Sequence, residues 1–233
     1  MPPVNAACVL IPMKAFALAK LRLSAVLSNH ERAELARAMA TVVIKAAEPL
    51  EAHVVCDDEE VAAFAESLGA TVEWAAEHNL NGAVQHASDT LGKRGIQRII
   101  VCHADLPFAQ DLLSLAEAES TEVLLVTDRH CQGTNVLSVP TGTAFTFSYG
   151  PGSFVRHQQQ AQRCELTARV VDSDALSWDV DEPEDLQVPA DFSAFSPLLA
   201  GGKITAQHHP RTMDSAEGQF QNGRSSNSKR TRS

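Results

Sequence analysis

The chain has 233 residues, 19 of them Lys or Arg against 29 Asp or Glu, so the formal net charge is −10, and charged residues make up only 21% of the total. That balance argues against a nucleic-acid binder, which would carry a basic face to neutralise backbone phosphates. At 44% hydrophobic, with 12 Gly and 11 Pro, the composition is globular and neither disordered nor collagenous.

The charge is unevenly spread. Residues 205–233 hold five basic and two acidic residues, a net +3, which leaves 14 basic and 27 acidic in residues 1–204, a net −13. Any phosphate chemistry in that body must rest on local cations or on a metal ion. The five cysteines, Cys8, Cys56, Cys102, Cys131 and Cys164, are scattered, unpaired by any C-x-x-C spacing and odd in number. Reduced thiols in a cytoplasmic protein fit them better than a disulfide framework or a zinc site. No apolar run approaches the length of a membrane span, and the apolar stretch Ala6 to Met13 lacks the flanks of a signal peptide.

Taken in chain order, Ala7 to Ile11 reads as a buried strand ending at Pro12. Leu35, Met39, Val42, Val43 and Ala46 put one apolar stripe on a helix from Asn29 to Ala47, with Asn29 as its cap. His53 to Cys56 is a second strand, Glu59 to Leu68 a helix closed by Gly69, and Thr71 to Trp74 a third strand. Leu80, Ala83, Val84, Ala87 and Leu91 fall at helical spacing, followed by a strand over Arg98 to Cys102, a helix around Leu112 to Ala118 and a strand over Glu122 to Thr127. This rhythm predicts an α/β fold, a mostly parallel sheet with helices on both faces. After Thr127 come short strands over Val136 to Val139 and Phe145 to Phe147 and a helix near Phe154 to Cys164, expected as an elaboration laid across the carboxyl end of the sheet. One domain over 1–204 and a disordered tail over 205–233 complete the expectation.

Ligands of open α/β sheets bind beyond the carboxyl ends of the strands, so the loops there carry the functional reading. Lys14, Lys20 and Arg22 follow the first strand with no acid among them, and suit a triphosphate as well as a solvated basic loop. Asp105 stands just past a strand and is pinned by Pro107, placed either to hold a divalent cation or to form a turn. His103 reads as structural. Gly150 and Gly152 allow close backbone approach, with Thr134 nearby and Ser153 near a helix start whose free N–H groups suit an anion; Arg156 and His157 could add charge, although a capped Gly-rich turn explains the same residues. Asp179 and Asp181, one residue apart in an extended segment, point to the same side and can share a metal with Asp105. Glu182, Glu184 and Asp185 read as first-turn acids of a short helix begun by Pro183. No Ser or Cys nucleophile motif, P-loop or G-x-G-x-x-G is present, and the remaining combination suits metal-assisted nucleotidyl transfer.

Six motifs occur in order: Pro12 to Leu23 as P-x-K-x5-A-K-x-R-L, Leu80-Asn81-x-Ala83, Asp105-Leu-Pro107, Gly133-Thr-Asn135, Tyr149-Gly-x-Gly-Ser-Phe154 with His157, and Asp179-Val-Asp-x-Pro-Glu-Asp-Leu186. Together, over roughly residues 7 to 187, they closely resemble the 2-phospho-L-lactate guanylyltransferase family, which includes phosphoenolpyruvate and 3-phospho-D-glycerate guanylyltransferases of coenzyme F-420 biosynthesis. The resemblance implies a GT-A-like nucleotidyltransferase that joins GTP to a three-carbon phosphorylated acid and releases pyrophosphate. By position, Asp105, Asp179 and Asp181 would be Mg²⁺ ligands, and Thr134, Gly150 and Ser153 the phospho-acid site. Lys14, Lys20 and Arg22 would lie at the GTP phosphates, with Asp105 and Lys20 as the catalytic pair. It also makes a homodimer an expectation. Cys131 stands where family members often carry Gly.

Two rival readings use other features. A sugar-phosphate or molybdenum-cofactor nucleotidyltransferase on the same fold would carry a G-x-G-x-R stretch after the first strand, where Lys14 to Arg22 stands instead. A nucleotide-binding regulatory module without turnover is disfavoured by the three aspartates.

Overall fold

The structure is a computed structural model that describes residues 7–75 and 79–188; the expected tail lies outside the described residues. Seven strands form one mixed sheet in the order β3-β2-β1-β4-β6-β5-β7. These are β1 (Ala7–Pro12), β2 (Glu51–Cys56), β3 (Thr71–Trp74), β4 (Arg98–Cys102), β5 (Glu122–Thr127), β6 (Thr134–Pro140) and β7 (Thr167–Val170). The helices are α1 (Asn29–Ala46), α2 (Glu59–Ser67), α3 (Leu80–Lys93), α4 (Ser153–Arg163) and the single turn α5 (Asp174–Ser177).

Alternation along the strands divides the core. Val9, Ile11, Val54, Ile100, Leu124 and Val126 pack on one face beneath α1 and α2. Cys8, Leu10, Val55, Ile99, Val101 and Leu125 pack on the other, beneath α3 and α4. Both faces of β1 and β4 are covered, as a parallel strand pair requires. Truncating a side chain such as Leu10 or Ile99, both fully buried, removes about 2–5 kcal/mol of packing.

The core β-α-β succession matches the sequence reading, and its departures have local causes. Ser28, not Asn29, caps α1: its hydroxyl accepts from the Glu31 amide while the Glu31 carboxylate accepts from the Ser28 amide. Leu112–Ala116 winds as a short 3-10 turn instead of a longer helix. The segment after β5 does not lie across the sheet. It enters it, because β6 runs antiparallel between β4 and β5 and all seven of its residues are buried.

The expected strand over Phe145 to Phe147 is absent. Three successive amides there donate to side chains, Phe147 to Gln85 Oε1 at 3.2 Å, Ser148 to His157 Nε2 at 3.0 Å and Tyr149 to Asn81 Oδ1 at 2.6 Å. Those side chains of α3 and α4 take the place of a ladder partner from Phe147 to Tyr149. β7 and α5 were not anticipated; β7 is a half-exposed edge strand without apolar alternation.

Candidate active site

The sheet order reverses direction between β1 and β4, which both pair in parallel yet lead the chain to opposite sides. A crevice opens at such a point. Here it is a cleft of about 620 Å³ whose walls include Lys14, Lys20, Arg22, His103, Asp105 and Asp181.

Of the three cations after β1, only Lys20 turns inward. Its Nζ lies 2.6 Å from Asp105 Oδ2 and 2.8 Å from Asp181 Oδ1, with its side chain 9% exposed. The backbone at Lys20 is left-handed, φ 51° and ψ 44°, a conformation that costs a non-glycine residue about 1–2 kcal/mol. Arg22 stays exposed and donates to Glu182 Oε1 at 3.1 Å, 3.9 Å from Asp181. Glu182, read from sequence as only a helix-end acid, therefore closes the rim. Lys14 is exposed at the cleft margin.

The two halves of the ion pair hold each other ionised. Burial pulls the Lys20 ammonium toward neutrality, and the Asp105 and Asp181 carboxylates more than offset it, so its pKa is raised. Burial likewise pushes the Asp105 carboxyl up, and the neighbouring Lys20 ammonium brings it below the usual carboxylate value. Asp179 differs. Burial, and then the charge of Asp105, push its carboxyl up to about 6.

Val180 is fully buried against Leu23 and Met39, while Asp181 lines the cleft and Asp179 lies beside Asn135. Three contacts place the segment. The Val180 amide donates to Asp105 O at 3.2 Å. Asn135 Nδ2 donates to Leu176 O at 3.1 Å and to Asp179 Oδ1 at 3.4 Å, while Asn135 O accepts from the His103 amide at 3.0 Å. Asp185 Oδ2 accepts from the amides of Asp181 and Glu182, each at 2.7 Å, and its other oxygen takes Arg129, whose guanidinium lies 3.8 Å above Trp178. Asn135, Asp185 and Arg129 were not singled out as site residues. The G-T-N and D-V-D-x-P-E-D motifs held two of them, but only a structure shows whom they bind.

Among the described residues no three acid, His or Cys side chains converge as a formed metal cage; the Lys20 ammonium stands between two of the three aspartates. The residues nevertheless fit a hard divalent ion. All the donors are carboxylate oxygens, Asp105 Oδ1 is buried with no hydrogen-bond partner, and the repulsion from Asp105 that adds to burial in raising Asp179 is the kind a cation relieves.

A second group of residues lies off this cleft. Ser153 Oγ donates to Thr134 Oγ1 at 3.3 Å, and His157 Nδ1 lies 3.0 Å from the same oxygen. His157 Nε2 accepts from Ser148, so Nδ1 carries the proton and donates to Thr134. Burial, then the charge of Arg156, lowers the His157 pKa to about 4, keeping the ring neutral. The Gly-rich turn joins in through Gly150, whose φ is 115° and whose carbonyl accepts from Ser153 at 3.0 Å.

Two expectations for this group are corrected. Arg156 keeps its positive charge, although its donors are taken by the carbonyls of Ser148, Gly150 and Pro151, whereas His157 adds none because it is neutral. The first amides of α4 are not free, as Ser153 donates to Gly150 O and Phe154 to Gln132 O at 3.2 Å. The loop before Thr134 is closed by Asp128, whose carboxylate accepts from His130, Gln132 and Gly133. A Cβ at Gly133 would sit 2.6 Å from that carboxylate. Cys131 adopts φ 56°, a left-handed conformation that favours glycine.

An aromatic chain links the two groups. Tyr149 lies 4.8 Å from the His157 ring and 5.1 Å from His103, and the Nε2 of His103 is buried without a hydrogen-bond partner. Burial lowers the His103 pKa. Asn81 clamps Tyr149 through both its amide and its carbonyl, which gives the Leu80-Asn81 motif its role.

The chain is similar to known proteins over most of its length. The chain is 31% identical over 192 residues to a phosphoenolpyruvate guanylyltransferase of Chloroflexus aurantiacus, covering 77% of this chain and 92% of that one. It is 34% identical over 187 residues to a 2-phospho-L-lactate guanylyltransferase of Methanothermobacter thermautotrophicus, covering 77% and 82%. A solved nucleotidyl transferase from Methanothermobacter shares the fold, with a TM-score of 0.55 at 12% identity over 78% of this chain and 94% of that one. Residues 7–188 match the family described as guanylyl transferase CofC like, and the chain belongs to that nucleotidyltransferase family.

Proposed function

We propose that the protein transfers the guanylyl group of GTP to the phosphate of a three-carbon phosphorylated acid, releasing pyrophosphate, as a step of coenzyme F-420 biosynthesis. Two acceptors, phosphoenolpyruvate and 2-phospho-L-lactate, are named by relatives of this chain, and 3-phospho-D-glycerate is the third on chemical grounds. The observation that carries the reading is the meeting of Lys20, Asp105 and Asp181 at the switch point of the sheet.

The attacking phosphate oxygen is already anionic, so no strong base is required. A new O–P bond forms at the α-phosphorus as the bond to pyrophosphate breaks. The obstacle is bringing two polyanions together. Lys20, with Lys14 and Arg22 at the rim, would hold the GTP phosphates. Asp105, Asp179 and Asp181 would hold a Mg²⁺ ion, which supplies neutralising charge to the phosphates when bound. Thr134 accepts hydrogen bonds from His157 and Ser153, leaving its own hydroxyl hydrogen to donate to the acceptor phosphate beside Gly150.

The same reading places the enzyme in the cytoplasm, supported by five free thiols, and as a homodimer, which sedimentation would test. Incubation with GTP, Mg²⁺ and each acid in turn, read by mass of the guanosine-diphospho product, tests the whole. Product with one or more of the three acids is expected; GTP left intact with all of them would overturn it.

A further inference from the structure

The turn that carries Lys20 is built against its own preferences. Leu18 and Leu21, on either side of it, are 63% and 58% exposed, while the lysine ammonium is buried between two acids. The left-handed backbone at Lys20 adds strain. What holds this inverted turn comes from α1. Arg32, only 3% exposed, donates from one guanidinium nitrogen to Ala19 O at 2.5 Å and from the other to Asn29 Oδ1 at 2.7 Å. The Ala19 carbonyl belongs to the peptide that leads into Lys20, so Arg32 fixes where the lysine chain starts.

The ammonium then takes one oxygen from each of Asp105 and Asp181 at 2.6 and 2.8 Å. A divalent ion using those oxygens competes with it, since two cations at that spacing repel. Nucleotide phosphates offer the displaced ammonium an equivalent partner.

We propose that the Lys20 ammonium is the resident cation of the Asp105–Asp181 pair, that Arg32 is the positioning residue keeping it there through Ala19, and that a divalent ion enters by exchanging with it. The inference rests on the reading of these aspartates as metal ligands. It makes metal and nucleotide binding mutually reinforcing, because each relieves the disruption the other causes.

Mn²⁺ binding to the nucleotide-free protein, followed by electron paramagnetic resonance, tests it directly. Lys20→Met should tighten Mn²⁺ binding about tenfold or more, and adding Asp105→Asn should remove the gain. Arg32→Gln should tighten it less and have no further effect on the Lys20→Met background, an outcome that general loosening of the fold would not produce. Unchanged or weaker binding in Lys20→Met, or an Arg32→Gln effect that persists without Lys20, would overturn the proposal.

The wild-type protein provides a second measurement. An amine-acylating reagent, with labelling read by mass spectrometry, should modify Lys20 several-fold faster once Mg²⁺ is titrated to saturation; an unchanged rate counts against exchange. Failure of these tests alongside Mg²⁺-dependent turnover sinks the exchange alone, whereas metal-independent turnover sinks the metal reading beneath it.

Discussion

The two polar regions of this protein manage burial in opposite ways. Around Lys20 the cleft pairs full charges with full charges, Asp105 and Asp181 against one ammonium. Around Thr134 the polar atoms are hydroxyls, a neutral imidazole and backbone carbonyls, and the one nearby charge, the Arg156 guanidinium, is folded back on the turn. The first region is suited to polyanions and cations that bring and remove charge. The second can orient a phosphate by directed donors without itself changing charge.

The contrast can be broken from the charged side. Asp105→Asn should lower the rate of pyrophosphate release about 1,000-fold or more, with an unchanged circular dichroism spectrum. A loss below tenfold would mean that the charged region is structural.

The next effect belongs to the neutral side and to pH. His157 has its pKa lowered from 6.5 to about 4 in the folded protein, so below pH 6.5 the unfolded chain takes up a proton that the folded one refuses. The contribution of His157 is thus fully present above pH 6.5 and is lost as pH drops toward 4, by up to about 3 kcal/mol. His157→Gln should flatten that slope in thermal melts; a wild-type-like slope would show that other groups cause it.

Thr134→Val sharpens the comparison further. It should raise the KM for the phospho-acid about 10–100-fold while leaving the KM for GTP nearly unchanged, and equal effects on both would merge the regions. The smallest change is Cys131→Gly, expected to stabilise by about 0.5 kcal/mol in denaturant titration because φ 56° suits glycine.

How much of this was legible in the sequence depends on whether a residue acts through its neighbours in the chain or through remote ones. The strands that precede Lys20 and Asp105 follow from apolar runs. Side-chain traffic over long separations was not legible. Nothing local to Phe145 and Phe147 shows that Gln85, Asn81 and His157 take the amides of that segment. The antiparallel insertion of β6 escaped for the same reason, since a fully buried strand looks alike in either direction.

That insertion has a consequence for how the protein is made. Lys20 and Asp105 lie early in the chain, but Asn135 on β6 seats the segment carrying Asp179, and Asp181 arrives last. During synthesis the β1 to β4 half can collapse and bury its apolar faces well before the acidic segment leaves the ribosome. Until then Lys20 has one acid instead of two, so the nascent chain passes through a stage with a sheet but an unfinished cleft. Competence for nucleotide should therefore appear only once the segment through Asp181 has left the ribosome.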